Sequence, residues 1–143
     1  MFAPTDRSDR PEGVSDTARN ALDTGEFVVN VITEPLAEAM NATSAALPPE
    51  ESEFDRADLE RAAAEAVAPP RIAAAEVAFE CELYESIDVD SNTMVLGEVV
   101  SVYLDDGVTT DDELDVTKLD AIGRLSGSCY CRTDGRFRME RPE

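Results

Sequence analysis

The chain has 143 residues, 43% of them hydrophobic, and carries 32 acidic against 12 basic residues, a formal net charge of -20. This balance disfavours nucleic acid as a partner, because a phosphate backbone would be repelled. The absence of histidine excludes histidine-based catalytic triads and most zinc sites. Length and hydrophobic content predict a single folded domain over residues 1–143 and not a disordered acidic tail.

The charged residues point to adaptation to salt. Acidic residues are spread along the whole chain, and Lys118 is the only lysine among the 12 basic residues. Dispersed carboxylates with almost no lysine are typical of a surface suited to concentrated salt, where screening removes self-repulsion. We therefore expect a halophilic protein.

The cysteines and the lack of long apolar runs indicate the compartment. Cys81, Cys129 and Cys131 are few and odd in number, which favours a reducing environment, and we interpret them as buried small hydrophobic residues. The sequence contains no signal peptide and no apolar run near the length of a membrane span. These features predict a soluble cytoplasmic protein without a membrane partner.

The first segment is extended and is followed by a polar loop. Residues 1–3 are typical of the end of a strand, and the loop after them contains Arg7 and Arg10. Both arginines precede a predicted helix start, where they can reach the same anion as that helix. Plain solvated surface arginines are the alternative.

A helix and a strand are predicted next, over residues 15–31. Ser15 and Asp16 can cap the helix by accepting hydrogen bonds from its first amides, and Gly25 suits a left-handed stop. Residues 27–31 have the composition of a core strand. The free amides at such a helix start, beside the hydroxyls of Ser15 and Thr17, can hold an anion such as phosphate, while ordinary capping remains the alternative.

The middle of the chain predicts one more helix and a surface excursion. Residues 34–45 have apolar positions at helical spacing, with Thr33 as N-cap and Pro35 in the first turn. Residues 47–68 are rich in proline and glutamate and predict an acidic surface loop or a lid.

From residue 71 the pattern changes to period two. One face of the predicted strand, expected to be buried, holds Val77, Phe79, Cys81 and Leu83, and the other holds Ala78, Glu80, Glu82 and Tyr84. Turn residues at 88–92 and a second strand at 94–104 predict an antiparallel hairpin, in which Gly97 marks a bulge or a close approach.

The end of the chain adds a polar connection and one further strand. The connection covers residues 105–120, and the strand covers residues 128–132. Short helices outside several antiparallel strands predict a barrel or a sandwich.

Several stretches together resemble one family. They are SDTARN with GEFVVN at 15–30, EFDRADL at 53–59, PRI at 70–72 with EC at 80–81, LGEV at 96–99 and RLSGSCY at 124–130. In this order and spacing they resemble the flavin reductase-like family of FMN-binding split barrels, in the branch of the flavoredoxin-type proteins.

The resemblance implies a fold and an activity. The fold would be mainly β with short helices, a Greek-key split β-barrel. Members bind FMN non-covalently, often as homodimers, and many pass a hydride from NAD(P)H to the flavin, which reduces another acceptor. The flavin supplies the reactive atom, so no catalytic side chain and no metal are expected.

The resemblance also implies which residues hold the cofactor. The phosphate end would be held by Ser15, Asp16 and Thr17, with Asn20 supporting the loop. Ser15 stands where the family has a lysine, so Arg7 or Arg10 would supply the missing charge. Arg124 and Tyr130 would lie near the flavin or the dimer seam, with a purely structural role as the alternative.

Departures from the family leave a second hypothesis open. The chain starts at a position inside the family's domain, so we expect it to lack the family's N-terminal third and the barrel to be incomplete there. The alternative function is a non-catalytic flavin-binding or dimeric structural module, or a fragment without cofactor.

Overall fold

The computed structural model describes residues 1–5, 13–45, 47–48 and 51–142. The elements in chain order are α1 (Asp16–Thr24), β1 (Glu26–Asn30), α2 (Ala37–Thr43), α3 (Glu53–Arg56), β2 (Arg61–Ala62), β3 (Arg71–Ile72), β4 (Val77–Val89), β5 (Asn92–Leu104), β6 (Thr109–Thr110), β7 (Glu113–Leu114), β8 (Ile122–Ser126) and β9 (Cys129–Arg132), with 3-10 turns at Glu34–Leu36 and Asp106–Val108. None of the helices in these ranges is long and apolar enough to cross a membrane.

The predicted helix α1 forms as its end residues dictate. Ser15 is the N-cap, and its hydroxyl accepts a hydrogen bond from the Ala18 amide at 3.3 Å. Gly25 ends the helix in the left-handed conformation, with φ of 72°. Ala18 and Ala21 are buried against the sheet, so α1 is fixed at both ends and along one face.

A three-stranded antiparallel sheet in the order β1-β4-β5 forms the centre of the fold. The predicted hairpin is confirmed, since β4 pairs with β5 from Val77 opposite Leu104 to Val89 opposite Asn92. Phe2 extends the pairing through two backbone hydrogen bonds to Val95, of 3.0 and 2.8 Å. The short strand predicted at residues 1–3 is therefore a single bridge.

The prediction that β4 buries only one face is wrong. Ala78 and Glu80, on the face expected to be exposed, are 0% and 2% exposed. The segment at residues 63–70, here called the covering loop, lies over this face and is held there by side chains of the sheet. Its Glu65 and Ala66 amides donate to the Glu80 carboxylate at 2.6 to 3.0 Å.

Two further side chains of β1 hold the same region. The carboxylate of Glu26 accepts a hydrogen bond from the Ala68 amide at 2.8 Å, and the side-chain oxygen of Asn30 accepts one from the Ile72 amide at 2.9 Å. The end of the acidic surface loop predicted at residues 47–68 is thus held against the sheet by hydrogen bonds from its backbone amides to side chains of the sheet.

Gly97 confirms the predicted close approach. A Cβ at this position would overlap the Phe27 ring and lie 3.1 Å from the Cβ of Cys81. The Phe27 ring packs edge-on against Phe2, with centroids 5.1 Å apart. The missing side chain at Gly97 therefore makes room for an aromatic pair in the core.

The predicted second helix is present as a 3-10 turn followed by α2. Thr33 is at the N-cap position but makes no side-chain capping bond, and Pro35 lies in the first turn.

The last two strands pair with each other as a hairpin, β8–β9. The interpretation of the cysteines as buried holds for Cys81 and is wrong for Cys129 and Cys131, which are exposed. Every residue of β9 is exposed, and β8 and β9 form a two-stranded sheet separate from the central one.

Candidate functional site

The N-terminus of α1 opens into a cavity of about 460 Å³, called here the helix cavity. Its α1 wall is formed by Ser15, Asp16, Thr17, Arg19 and Asn20, and the opposite wall by residues 43–45, 47–48 and 51–54. The four predicted α1 residues thus lie together at one cavity. Arg7 and Arg10, predicted to join them, lie outside the described residues.

Thr17 presents hydrogen-bond donors to this cavity. It is the second residue of α1, a position whose amide has no partner inside a helix. Across the described ranges, neither its amide nor its hydroxyl takes part in a hydrogen bond. The positive end of the helix dipole adds to the attraction of an anion at this point.

Carboxylates near the same helix end limit that attraction. Asp16 is the first helical residue and forms a salt bridge with Arg19, which offsets its charge. On the opposite wall, burial and then the charge of Asp16 raise the pKa of Glu53. The Arg19 salt bridge therefore offsets one of the two carboxylates that face Thr17.

The short helix α3 is held in place by Arg61. The guanidinium donates to Asp55 at 2.8 Å and to Ser52 at 2.6 Å, and it lies 4.7 Å from the centre of the Phe54 ring. Ser52 and Phe54 both line the helix cavity. Arg61 therefore positions the wall opposite α1.

Asn20 was predicted to support the loop from inside the helix. In the structure it is exposed and lines the helix cavity, and its backbone oxygen accepts a hydrogen bond from the hydroxyl of Thr24 at 2.7 Å.

Arg124 and Tyr130 lie at a different cavity, of about 940 Å³, between α2 and the β8–β9 hairpin. This is called here the hairpin cavity. Arg124 is the cross-strand partner of Tyr130, and Ile122 that of Arg132. Since side chains alternate along a strand, these two pairs lie on one face of the hairpin, which faces α2.

An ion pair joins the two walls of the hairpin cavity. Arg132 donates two hydrogen bonds to Glu34, one of them from Nε at 2.7 Å. The hydrogen bond from Arg132 lowers the pKa of Glu34 and raises that of Arg132. The hairpin is thereby attached to the start of the α2 segment.

The two cavities adjoin, since Ser44 at the end of α2 lines both. The predicted residues are therefore distributed over neighbouring cavities and not gathered in one. Neither the α2 wall nor the Glu34–Arg132 pair was predicted, because Glu34 and Arg132 are 98 residues apart and follow no motif.

Comparison with known proteins decides the family. A model described as the flavin reductase like domain matches residues 12–118. The chain belongs to this family. It is also 36% identical over 142 residues to an uncharacterized protein of Aquifex aeolicus, a match that covers 98% of this chain and 71% of that protein.

Solved structures agree with this assignment. Nitrilotriacetate monooxygenase component B from Bacillus cereus matches with a TM-score of 0.85 and 28% identity over 96% of this chain and 70% of its own. A Shewanella frigidimarina protein described as a flavin reductase with a split barrel domain matches with a TM-score of 0.75 and 27% identity, over 88% of this chain. The chain spans 65% of that protein's length.

These findings confirm the fold and the general class. The fold is mainly β with short helices, a split barrel, and the sandwich alternative is set aside. The chain is a member of a flavin-related oxidoreductase family.

The residues at the helix cavity fit the phosphate end of a flavin. The Thr17 donors and the helix N-terminus suit an anion, and the salt bridge to Arg19 offsets the charge of Asp16.

Proposed function

We propose that this chain binds FMN and acts as a flavin reductase or flavoredoxin-type oxidoreductase that passes a hydride from NAD(P)H to the flavin. The observation that carries the proposal is the N-terminus of α1, which opens with uncommitted Thr17 donors into the helix cavity of a flavin reductase-like chain. FMN is favoured because a terminal phosphate matches a helix N-terminus.

The chain's own residues would bind and orient the cofactor. Thr17 would donate from its amide and hydroxyl to the phosphate, Ser15 fixes the helix start that presents these donors, and Arg19 offsets the charge of Asp16. Asn20 would contact the same end of the cofactor from the next turn, with Arg7 and Arg10 supplying positive charge. The bound flavin supplies the hydride chemistry, for which this family needs no side-chain nucleophile.

Titration with FMN tests the binding site. Replacing Thr17 with Ala removes the hydroxyl but leaves the helix amide, so we expect the Kd for FMN to rise about tenfold to a hundredfold, as for one hydrogen bond to a charged group. Flavin fluorescence measures the Kd directly.

A variant at the other end of the same helix provides the control. Thr24→Ala also removes a hydroxyl from α1, but its partners are the backbone oxygens of Asn20 and Glu26. Its Kd should equal that of the parent. Equal Kd values for the parent, Thr17→Ala and Thr24→Ala would show that Thr17 does not contact FMN. A parent chain that does not bind FMN would refute the binding proposal.

Catalysis requires a second measurement, because a flavin-binding module need not be a reductase. NADH or NADPH oxidation should depend on added FMN and should be absent without it. A chain that binds FMN and leaves both nucleotides unoxidised would be the non-catalytic module instead.

We also propose a cytoplasmic homodimer. Apolar side chains on the central sheet favour a partner surface, since Val29, Val99 and Val102 are 37%, 51% and 47% exposed. Phe79 is the cross-strand partner of both Val29 and Val102, so Val29, Phe79 and Val102 form one row across the three strands. Sedimentation equilibrium that gives the monomer mass over the whole concentration range would refute the dimer.

A further inference from the structure

We infer that the hairpin cavity is a separate binding site for a planar aromatic molecule with one negative charge, held by Arg124 and Tyr130 beside the flavin site. The inference rests on the proposed function for the identity of the neighbouring ligand. Binding of such a molecule to the chain itself does not require the flavin.

The first step is that the two cavities have different walls. Arg124 and Tyr130 line the hairpin cavity, whereas the helix cavity is lined by the N-terminal residues of α1 from Ser15 to Thr17 and not by these two side chains. Ser44 is the residue common to both linings. A molecule against Tyr130 would thus be a neighbour of the cofactor and not a part of it.

The second step is the shape and polarity of the hairpin cavity. Tyr130 is 40% exposed and lies on the same strand face as Ile122, and Met40 of α2 lines the same cavity. An exposed ring with aliphatic and thioether groups around it suits a flat aromatic molecule. Asn41 and Ser128 add hydrogen-bonding groups to the lining.

The third step is the charge. Arg132 and Glu34 neutralise each other in their ion pair. Arg124 donates to the backbone oxygen of Gly127 at 3.1 Å and, within the described ranges, has no ion-pair partner. Its guanidinium is therefore open to a carboxylate or a similar group. Glu38 on the opposite wall disfavours a second negative charge, which limits the ligand to one.

Binding of benzoate and of its neutral analogue benzamide to the flavin-free chain tests this site. Ligand-observed NMR titration should give a lower Kd for benzoate. Arg124→Met should raise the benzoate Kd about tenfold, the amount typical of a charge-assisted hydrogen bond, and leave the benzamide Kd unchanged. Arg124→Lys, which keeps the charge, should recover part of the loss.

Arg138→Met is the matched control, because it removes the same charge from an exposed position outside the cavity. Equal losses in Arg124→Met and Arg138→Met, or equal Kd values for benzoate and benzamide, would overturn the inference. The same would follow if Arg124→Met weakened FMN binding as much as benzoate binding, since Arg124 would then belong to the flavin site.

The two proposals fail in different ways. If the chain does not bind FMN but binds benzoate in a way that depends on Arg124, the proposed function is refuted and the hairpin site is supported. Normal FMN binding without any binding of benzoate would refute the hairpin site alone.

Discussion

The carboxylate of Glu80 is the buried charge on which the covering loop depends. Burial acts to raise its pKa, but hydrogen bonds from the amides of Glu65, Ala66 and Val67, together with the charge of Arg71, outweigh burial, and the pKa of Glu80 lies below its ordinary value. The group is therefore ionised at neutral pH, and its negative charge holds backbone donors that would otherwise be unpaired under the loop.

Replacing Glu80 with Gln should destabilise the fold by about 1 to 3 kcal/mol at pH 7, because an amide loses the charge and turns an NH₂ group toward backbone donors. Urea unfolding measures the change. Glu113→Gln is the matched control, since it removes the same charge from an exposed strand position whose cross-strand partner is the uncharged Thr110. Equal midpoints for the two variants would contradict the role assigned to Glu80.

The pH dependence of this difference follows from the direction of the shift. A carboxyl group with a lowered pKa in the folded state contributes stability above its unfolded value and loses it as the pH falls through the folded value. The difference in free energy of unfolding between the parent and Glu80→Gln should reach its full size above about pH 4.5, the ordinary pKa of a glutamate side chain. It should become smaller below that pH. A gap that stays constant down to pH 3 would exclude the ionised carboxylate as its cause.

At the scale of elements, local patterns located most of the sheet and missed what covers it. Period two in β4 and β5 and the turn between them were sufficient to predict the hairpin, because register and turn position are local properties. The same alternation placed Glu80 in solvent, because nothing in β4 encodes the loop that docks on it. Cys131 was predicted to be buried and is exposed, because no other element within the described ranges covers β9.

The contact between Gly97 on β5 and Phe27 on β1 joins two strands that are separated in the sheet by β4. Gly97→Ala would place a methyl group against the buried Phe27 ring and should destabilise the fold by about 1 to 3 kcal/mol, as for other overpacked cores. Gly135→Ala is the control, because a Cβ there meets no atom within 4 Å. Thermal unfolding compares the two.

A second substitution shows whether the ring is the cause. Phe27→Leu makes room beside position 97, so the combined Gly97→Ala and Phe27→Leu variant should lose less stability than the sum of the single changes. Strict additivity would show that Gly97 is required for a reason other than the ring, such as backbone conformation.

At the scale of the whole molecule, one part of the candidate site was predictable from the sequence and another was not. The α1 wall of the helix cavity was predicted because a capped helix start is encoded within a few residues. The separation of Arg124 and Tyr130 from that wall was not, since it depends on the tertiary position of the β8–β9 hairpin, which lies across a cavity from α2. Only the three-dimensional arrangement divides these residues between two cavities.

The net charge also acts at this scale. With 32 acidic and 12 basic residues, at least 20 carboxylates have no basic partner of their own. The central sheet concentrates this repulsion locally, since Glu82 on β4 lies directly opposite Glu26 on β1 and opposite Glu98 on β5. Like charges at directly opposed positions destabilise a sheet.

Salt should therefore stabilise this protein. Raising KCl from about 0.1 M to about 1 M shortens the screening length from about 10 Å to about 3 Å, so we expect the urea midpoint to rise. Glu82→Gln removes the central charge from the row Glu26–Glu82–Glu98, so its free energy of unfolding should exceed that of the parent by about 0.2 to 1 kcal/mol at low salt. Added KCl should stabilise this variant less than it stabilises the parent. Sucrose, which carries no charge, should not reproduce the difference between the two chains. A parent that is fully folded without salt and gains nothing from molar KCl would refute the halophilic assignment, whereas equal gains in both chains would show that the repulsion lies elsewhere than in this row.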